Sequence, residues 1–224
     1  MTTLLLVRHG LTAMTGPVLA GWTPDVHLND RGREQAAAVA ERLKEVPVAA
    51  VVSSPLERCQ ETAAAFGREV VTEERLGECR YGDWTGKEIK TLVKDPLWKV
   101  VQAHPSAVTF PGGEALRETA ARAVDAVRDW NARLGPDATW IAVSHGDVIK
   151  AVVADALGLH LDQFQRIVAD PCSVTAIRYT DLRPFVLRLN DTGGGVADLL
   201  PPKKKSRSRK GASSDAVPGG GAGT

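Results

Sequence analysis

The sequence predicts an α/β fold: a three-layer α/β/α sandwich whose mainly parallel sheet carries an antiparallel edge strand. Three observations predict it. Short apolar runs at residues 3–7, 48–52 and 139–143 read as strands buried on both faces. Each precedes a segment with helical spacing, so strands and helices alternate as βαβ units require. Residues 174–179 and 185–189 then follow one another across a short turn at 181–184, which makes the closing pair antiparallel.

Asn29 or Asp30 caps a first helix, in which Ala36, Val39, Ala40, Leu43 and Val46 share one face. The second helix starts at Ser54-Pro55-Leu56-Glu57 and runs to about Gly67. Serine caps it, proline takes the first helical position and Glu57 completes a capping box. Residues 70–72 form a short strand. Residues 73–113 are irregular, with a small helical stretch at 87–94. A helix over 114–134 aligns Leu116, Ala120, Val124 and Val127 and stops at Gly135-Pro136. The last helix, 146–157, is stopped by Gly158. One domain therefore spans residues 1–190. Residues 191–224 form a disordered Gly/Pro-rich basic tail with too little apolar surface to fold. Its basic run at 203–210 reads as solvated, with an acidic or nucleic-acid partner as the alternative.

Composition excludes several functions. Lys and Arg total 28 against 27 Asp and Glu, a formal charge of +1, so nothing pulls the whole chain toward nucleic acid or membrane. Cys59, Cys79 and Cys172 have no metal-like spacing and read as free thiols. The first apolar run is too short for a signal segment and no stretch is long enough to cross a bilayer, so a cytoplasmic location is expected. There is no P-loop and no GxSxG. His27, His104 and His160 lack ligand spacing, so no metal is expected.

In a parallel α/β sheet, ligands bind beyond the carboxyl ends of the strands. Arg8-His9-Gly10 stands there after the first strand, Ser54 to Arg58 after the second, and Ser144-His145-Gly146 after the third. Two arginines and two histidines should therefore converge on one crevice, where they would repel unless an anion lay between them. A phosphate dianion suits them, because the guanidinium fork matches its oxygens and helix N-termini add donors. Glycine after each histidine leaves room for a ligand to approach the backbone. Taken singly, each histidine is ordinary, Arg58 is a helix-surface charge and Glu57 a cap. The joint pattern outweighs these readings.

The ordered segments LLLVRHG, LNDRGREQA, SSPLERCQET, GECRYGDWTG, FPGGE and VSHGDV, with a closing RLND, resemble the histidine phosphatase superfamily in its phosphoglycerate-mutase-like branch. The resemblance covers residues 3 to about 190. It implies that His9 is a nucleophile forming a phosphohistidine. It also implies that Arg8, Arg58 and His145 clamp the phosphoryl oxygens with Thr12 beside them. Glu78, in Glu-Cys-Arg-Tyr-Gly, becomes the general acid, its pKa raised by partial burial. Gly21, Trp22, Arg80 and Tyr81 would touch the substrate. Two departures stand out. Leu11 replaces the family's frequent glutamate or glutamine, and Thr15, still able to donate a hydrogen bond, replaces its asparagine.

Both phosphatases and mutases of the family use the phosphohistidine. The short segment 87–111, with Lys87, Lys90 and Lys94 and no adjacent arginines, resembles that of the phosphatases. The implied activity is hydrolysis of the phosphomonoester of a small metabolite, with no metal or cofactor. A phosphomutase of the cofactor-dependent phosphoglycerate mutase type is the alternative, with one of those lysines serving a substrate carboxylate. A phosphate-binding module without chemistry is the third reading. The expected partner is a small-molecule phosphate ester, with no membrane or nucleic acid and with a homodimer allowed.

Overall fold

The computed structural model describes residues 1–194 and 218–221. Its strands are β1 (Thr2–Arg8), β2 (Ala50–Ser53), β3 (Val70–Thr72), β4 (Thr139–Ser144), β5 (Val174–Tyr179) and β6 (Pro184–Asp191). They form one sheet in the order β3-β2-β4-β1-β5-β6. The first four strands run parallel, and β5 and β6 add antiparallel at the β1 side. The helices are α1 (Asp30–Leu43), α2 (Glu57–Ala64), α3 (Ile89–Leu92), α4 (Pro96–Ala103), α5 (Leu116–Leu134) and α6 (Gly146–Leu157).

The two-residue period of the strands divides the core into two layers. Leu4, Leu6, Trp140 and Ala142 face α5 and α6 through Leu116, Val127, Ile149 and Val152. Leu5, Val7, Ile141 and Val143 face α1 and α2 through Ala36, Val39, Cys59 and Ala63. The result is the predicted three-layer sandwich. All three cysteines are buried and unpaired. Among the described residues, no helix is long and apolar enough to cross a membrane.

Three local outcomes differ from expectation. α2 starts at Glu57 with Leu56 in the cap position, so the predicted capping box does not form, and the helix ends at Ala64. The Ser54 hydroxyl accepts from Leu56 N at 3.3 Å and lies 2.7 Å from His145 Nε2. The irregular stretch contains α4, started by the Asp95 side chain with Pro96 behind it. Its Trp98 and Val101 enter the core, and Trp98 stacks on Trp84. Finally, β6 runs one residue past the expected domain boundary, to Asp191. The basic run at 203–210 lies outside the described residues.

α1 closes onto the turn after β1 by backbone contact. A Cβ on Gly10 would lie 2.5 Å from Gly32 O, and one on Gly32 would lie 2.1 Å from Leu11 O. The bare face of Gly10 therefore meets α1 and not a ligand, contrary to its expected use. Gly32→Ala is expected to cost about 2 kcal/mol by forcing this seam apart. Thermal unfolding measures it, and an unchanged Tm would show that the approach can relax.

Candidate active site

The strand ends open into a crevice walled by Arg8, His9, Thr12, Arg58, Glu78 and Tyr81, with residues 15–16 and 18–21 forming one rim. β1 delivers Arg8 and His9, the first turn of α2 delivers Arg58, and β4 ends at Ser144 beside His145. Both guanidinium groups are only 2% exposed. Arg8 Nη1 donates to Ala169 O at 2.9 Å, which fixes its direction. Arg58 Nη2 donates to Gly21 O at 2.8 Å and approaches His145 Nδ1 at 3.3 Å. Arg58 Nε and Nη1 are buried and have no hydrogen-bond partner among the described residues. Such donors call for an acceptor, and a bound oxyanion supplies several.

The histidine protons follow from their neighbours. His9 Nδ1 is 2.7 Å from Gly10 O. A carbonyl only accepts, so Nδ1 carries the proton and Nε2 keeps its lone pair. Burial, then Arg58 and Arg8, holds the His9 pKa well below the ordinary histidine value. In His145, Nδ1 accepts from Arg58, so Nε2–H donates to Ser54 Oγ. Burial and the same two arginines, with His9 between them in effect, lower its pKa as well. Of the four groups with cationic potential, the two histidines are neutral and the two guanidinium groups carry the charge. The imidazole rings meet edge to face, with centroids 5.3 Å apart.

Glu78 is buried against these cations, yet its pKa is pushed up to about 7, first by desolvation and then by Asp147. Its Oε1 accepts from Cys79 N at 3.0 Å. Its backbone carbonyl is held by Trp22 Nε1 at 2.6 Å and Arg122 at 2.9 Å. Behind it, Tyr81 OH donates to Asp147 Oδ2 at 2.8 Å, and Lys150 Nζ lies 3.6 Å from Asp147 Oδ1.

The expected substrate residues separate into two groups. Gly21 and Tyr81 line the crevice, as do Thr12 and Thr15, whose hydroxyls are 2.9 Å apart. Trp22 and Arg80 do not. Trp22 braces the Glu78 loop, while the Arg80 guanidinium lies 3.9 Å over the Trp22 ring and pairs with Glu74. Leu11 also stays off the wall: it is buried in the seam with α1, where its N–H donates to Gln35. None of Lys87, Lys90 or Lys94 reaches the wall. Ser54 and Asp147 belong to the site's support, although no site role for either is assigned by the motifs. Asp147 had a readable signal, an acid directly after Ser-His-Gly and three residues before Lys150.

The family model described as histidine phosphatase superfamily (branch 1) matches residues 4–192. The chain belongs to that superfamily. This histidine phosphatase superfamily member is 29% identical to phosphoserine phosphatase 1 of Hydrogenobacter thermophilus, over 86% of this chain and 93% of that protein. It is also 29% identical to a probable phosphoglycerate mutase of Cronobacter sakazakii, over 90% of this chain and 97% of the relative. Among solved structures, a mycobacterial glucosyl-3-phosphoglycerate phosphatase superposes with a TM-score of 0.75 at 27% identity. That match covers 84% of this chain and 98% of the other.

Proposed function

We propose that the protein hydrolyses the phosphomonoester of a small metabolite through a phosphohistidine at His9. The observation that carries this reading is the tautomer of His9. Its Nδ1–H is tied to Gly10 O, so a neutral Nε2 lone pair stands in a crevice flanked by two buried guanidinium groups. Nε2 attacks phosphorus as the bond to the ester oxygen breaks. Glu78, protonated in part at neutral pH, gives its proton to the departing oxygen. Arg8 and Arg58 hold the equatorial oxygens, where most of the stabilisation of a loose phosphoryl transition state is needed. Glu78, now a carboxylate, then takes a proton from water as that water attacks phosphorus. The P–N bond breaks, and inorganic phosphate leaves with His9 restored. His145 lies fully buried off the crevice wall, with Nε2 on Ser54 and Nδ1 on Arg58 Nη2, and it aims the Arg58 guanidinium at the equatorial oxygens.

The domain doing this chemistry spans residues 1–191, to the end of β6, with residues 192–224 as its appendage. Hydrolysis is favoured over mutase chemistry because no lysine of segment 87–111 lines the crevice and α4 is fastened into the core by Trp98 and Val101. The test is to mix the protein with a phosphate ester labelled on phosphorus, without added metal, and quench in alkali. Acid-labile, alkali-stable label on the chain and steady release of inorganic phosphate are expected. Isomerisation of a phosphoglycerate that needs a bisphosphate primer, without phosphate release, would replace hydrolysis with the mutase reading.

A further inference from the structure

Residues 218–220 of the C-terminal appendage lie inside the crevice, and Gly221 follows exposed at its mouth. Pro218 is buried, and Pro218, Gly219 and Gly220 form part of the crevice wall itself. Arg8 Nη2 donates to Gly220 O at 3.3 Å, and Arg8 Nη1 donates to Gly221 O. These are N–H groups assigned above to a phosphate ester. Gly219 fills the space between Leu19, Tyr81 and Glu78, where an added Cβ would lie 3.7 Å from Glu78 Oε2. Its carbonyl rests on the start of α6, since a Cβ on Gly146 would come within 2.4 Å of Gly219 O. The glycine after the second histidine thus does leave room for a backbone, and the backbone is the chain's own. With the segment seated, the free space in the crevice is about 30 Å³, room for a water or two but not for a phosphate ester.

We propose that residues 218–221 are an intrasteric inhibitor of this site, seated on Arg8 by backbone carbonyls and displaced when a phosphate ester binds. The proposal rests on the phosphate-binding role given to Arg8 above. The sequence suits the task. Gly219 and Gly220 have φ of +76° and +81°, which side-chain-bearing residues rarely adopt, and a Cβ on Gly220 would lie 3.0 Å from Arg8 Nη1. The carbonyls are neutral acceptors, weaker for a guanidinium than a phosphate dianion is. Attachment to the same chain offsets that weakness, because a tethered segment competes at an effective concentration of about millimolar. The outcome is a raised apparent KM: the ester sees only the fraction of sites that the segment leaves open, and saturating ester displaces it.

The full chain carrying Gly219→Val and Gly220→Val together tests this, since a β-branched residue cannot hold these angles. Inorganic phosphate affinity by calorimetry and the KM for an aryl phosphate should tighten together, on the order of tenfold. The turnover number should not change, Tm should fall by no more than about 4 °C as the seated segment's support is lost, and the effect should be independent of protein concentration. Phosphate affinity equal in both chains would overturn the inhibitor, even if both hydrolyse esters, and so would no phosphate binding by either. Tighter phosphate binding in the variant with no turnover by either chain would retain the inhibitor and refute hydrolysis instead.

Discussion

His9→Ala is expected to reduce ester hydrolysis by at least about 10⁴-fold and to abolish labelling of the chain. Binding should survive. His9 is neutral in the free site, so its removal takes away no fixed charge, while Arg8 and Arg58 keep their anchors at Ala169 and Gly21. Inorganic phosphate affinity should therefore stay within about threefold of the parent, because the charge-assisted donors are untouched. The split between retained binding and lost turnover separates an enzyme from a phosphate-binding module. Turnover by His9→Ala at more than a few per cent of the parent would mean that water attacks phosphorus directly.

The strand ends were legible because the pattern is local: a buried apolar run followed at once by Arg-His-Gly or Ser-His-Gly. Their convergence followed from the crevice rule for parallel sheets. What escaped depends on partners remote in sequence. Ser54 reads as a helix cap until His145, 91 residues away, is placed beside its hydroxyl. Trp22 reads as a substrate contact until its indole is seen to hold the Glu78 carbonyl. The neutrality of both histidines is set first by burial and then by Arg58, which comes from a separate segment, and neither has a local signature beside the histidine. The contacts of residues 218–221 escaped for a different reason. Apolar content measures the power to form a core, whereas this segment docks through backbone carbonyls and the lack of side chains.

Glu78→Gln should divide substrates by leaving group. Alkyl phosphates need a proton on the departing oxygen, so their kcat/KM should fall on the order of 10³-fold. Aryl phosphates with stable leaving anions should lose far less in kcat/KM, which reports only steps through the first chemical one. Equal losses on both would place the general acid elsewhere. The pH profile gives an independent reading. Glu78 is the acid only while protonated, so kcat/KM for an alkyl ester should decline as pH rises through about 7, and Glu78→Gln should remove that limb. The same shift predicts stability. A folded-state pKa near 7 against 4.5 in the ordinary carboxyl means that the folded chain holds this proton more tightly. Stability from Glu78 is then fully present below about pH 4.5 and is lost as pH rises through about 7. Glutamine never ionises, so Glu78→Gln should unfold at a higher temperature than the parent at pH 8, with the gap closing toward pH 4. A variant that is slower on alkyl esters yet more stable in alkali is the expected mark of a buried carboxyl kept for proton transfer at the expense of stability.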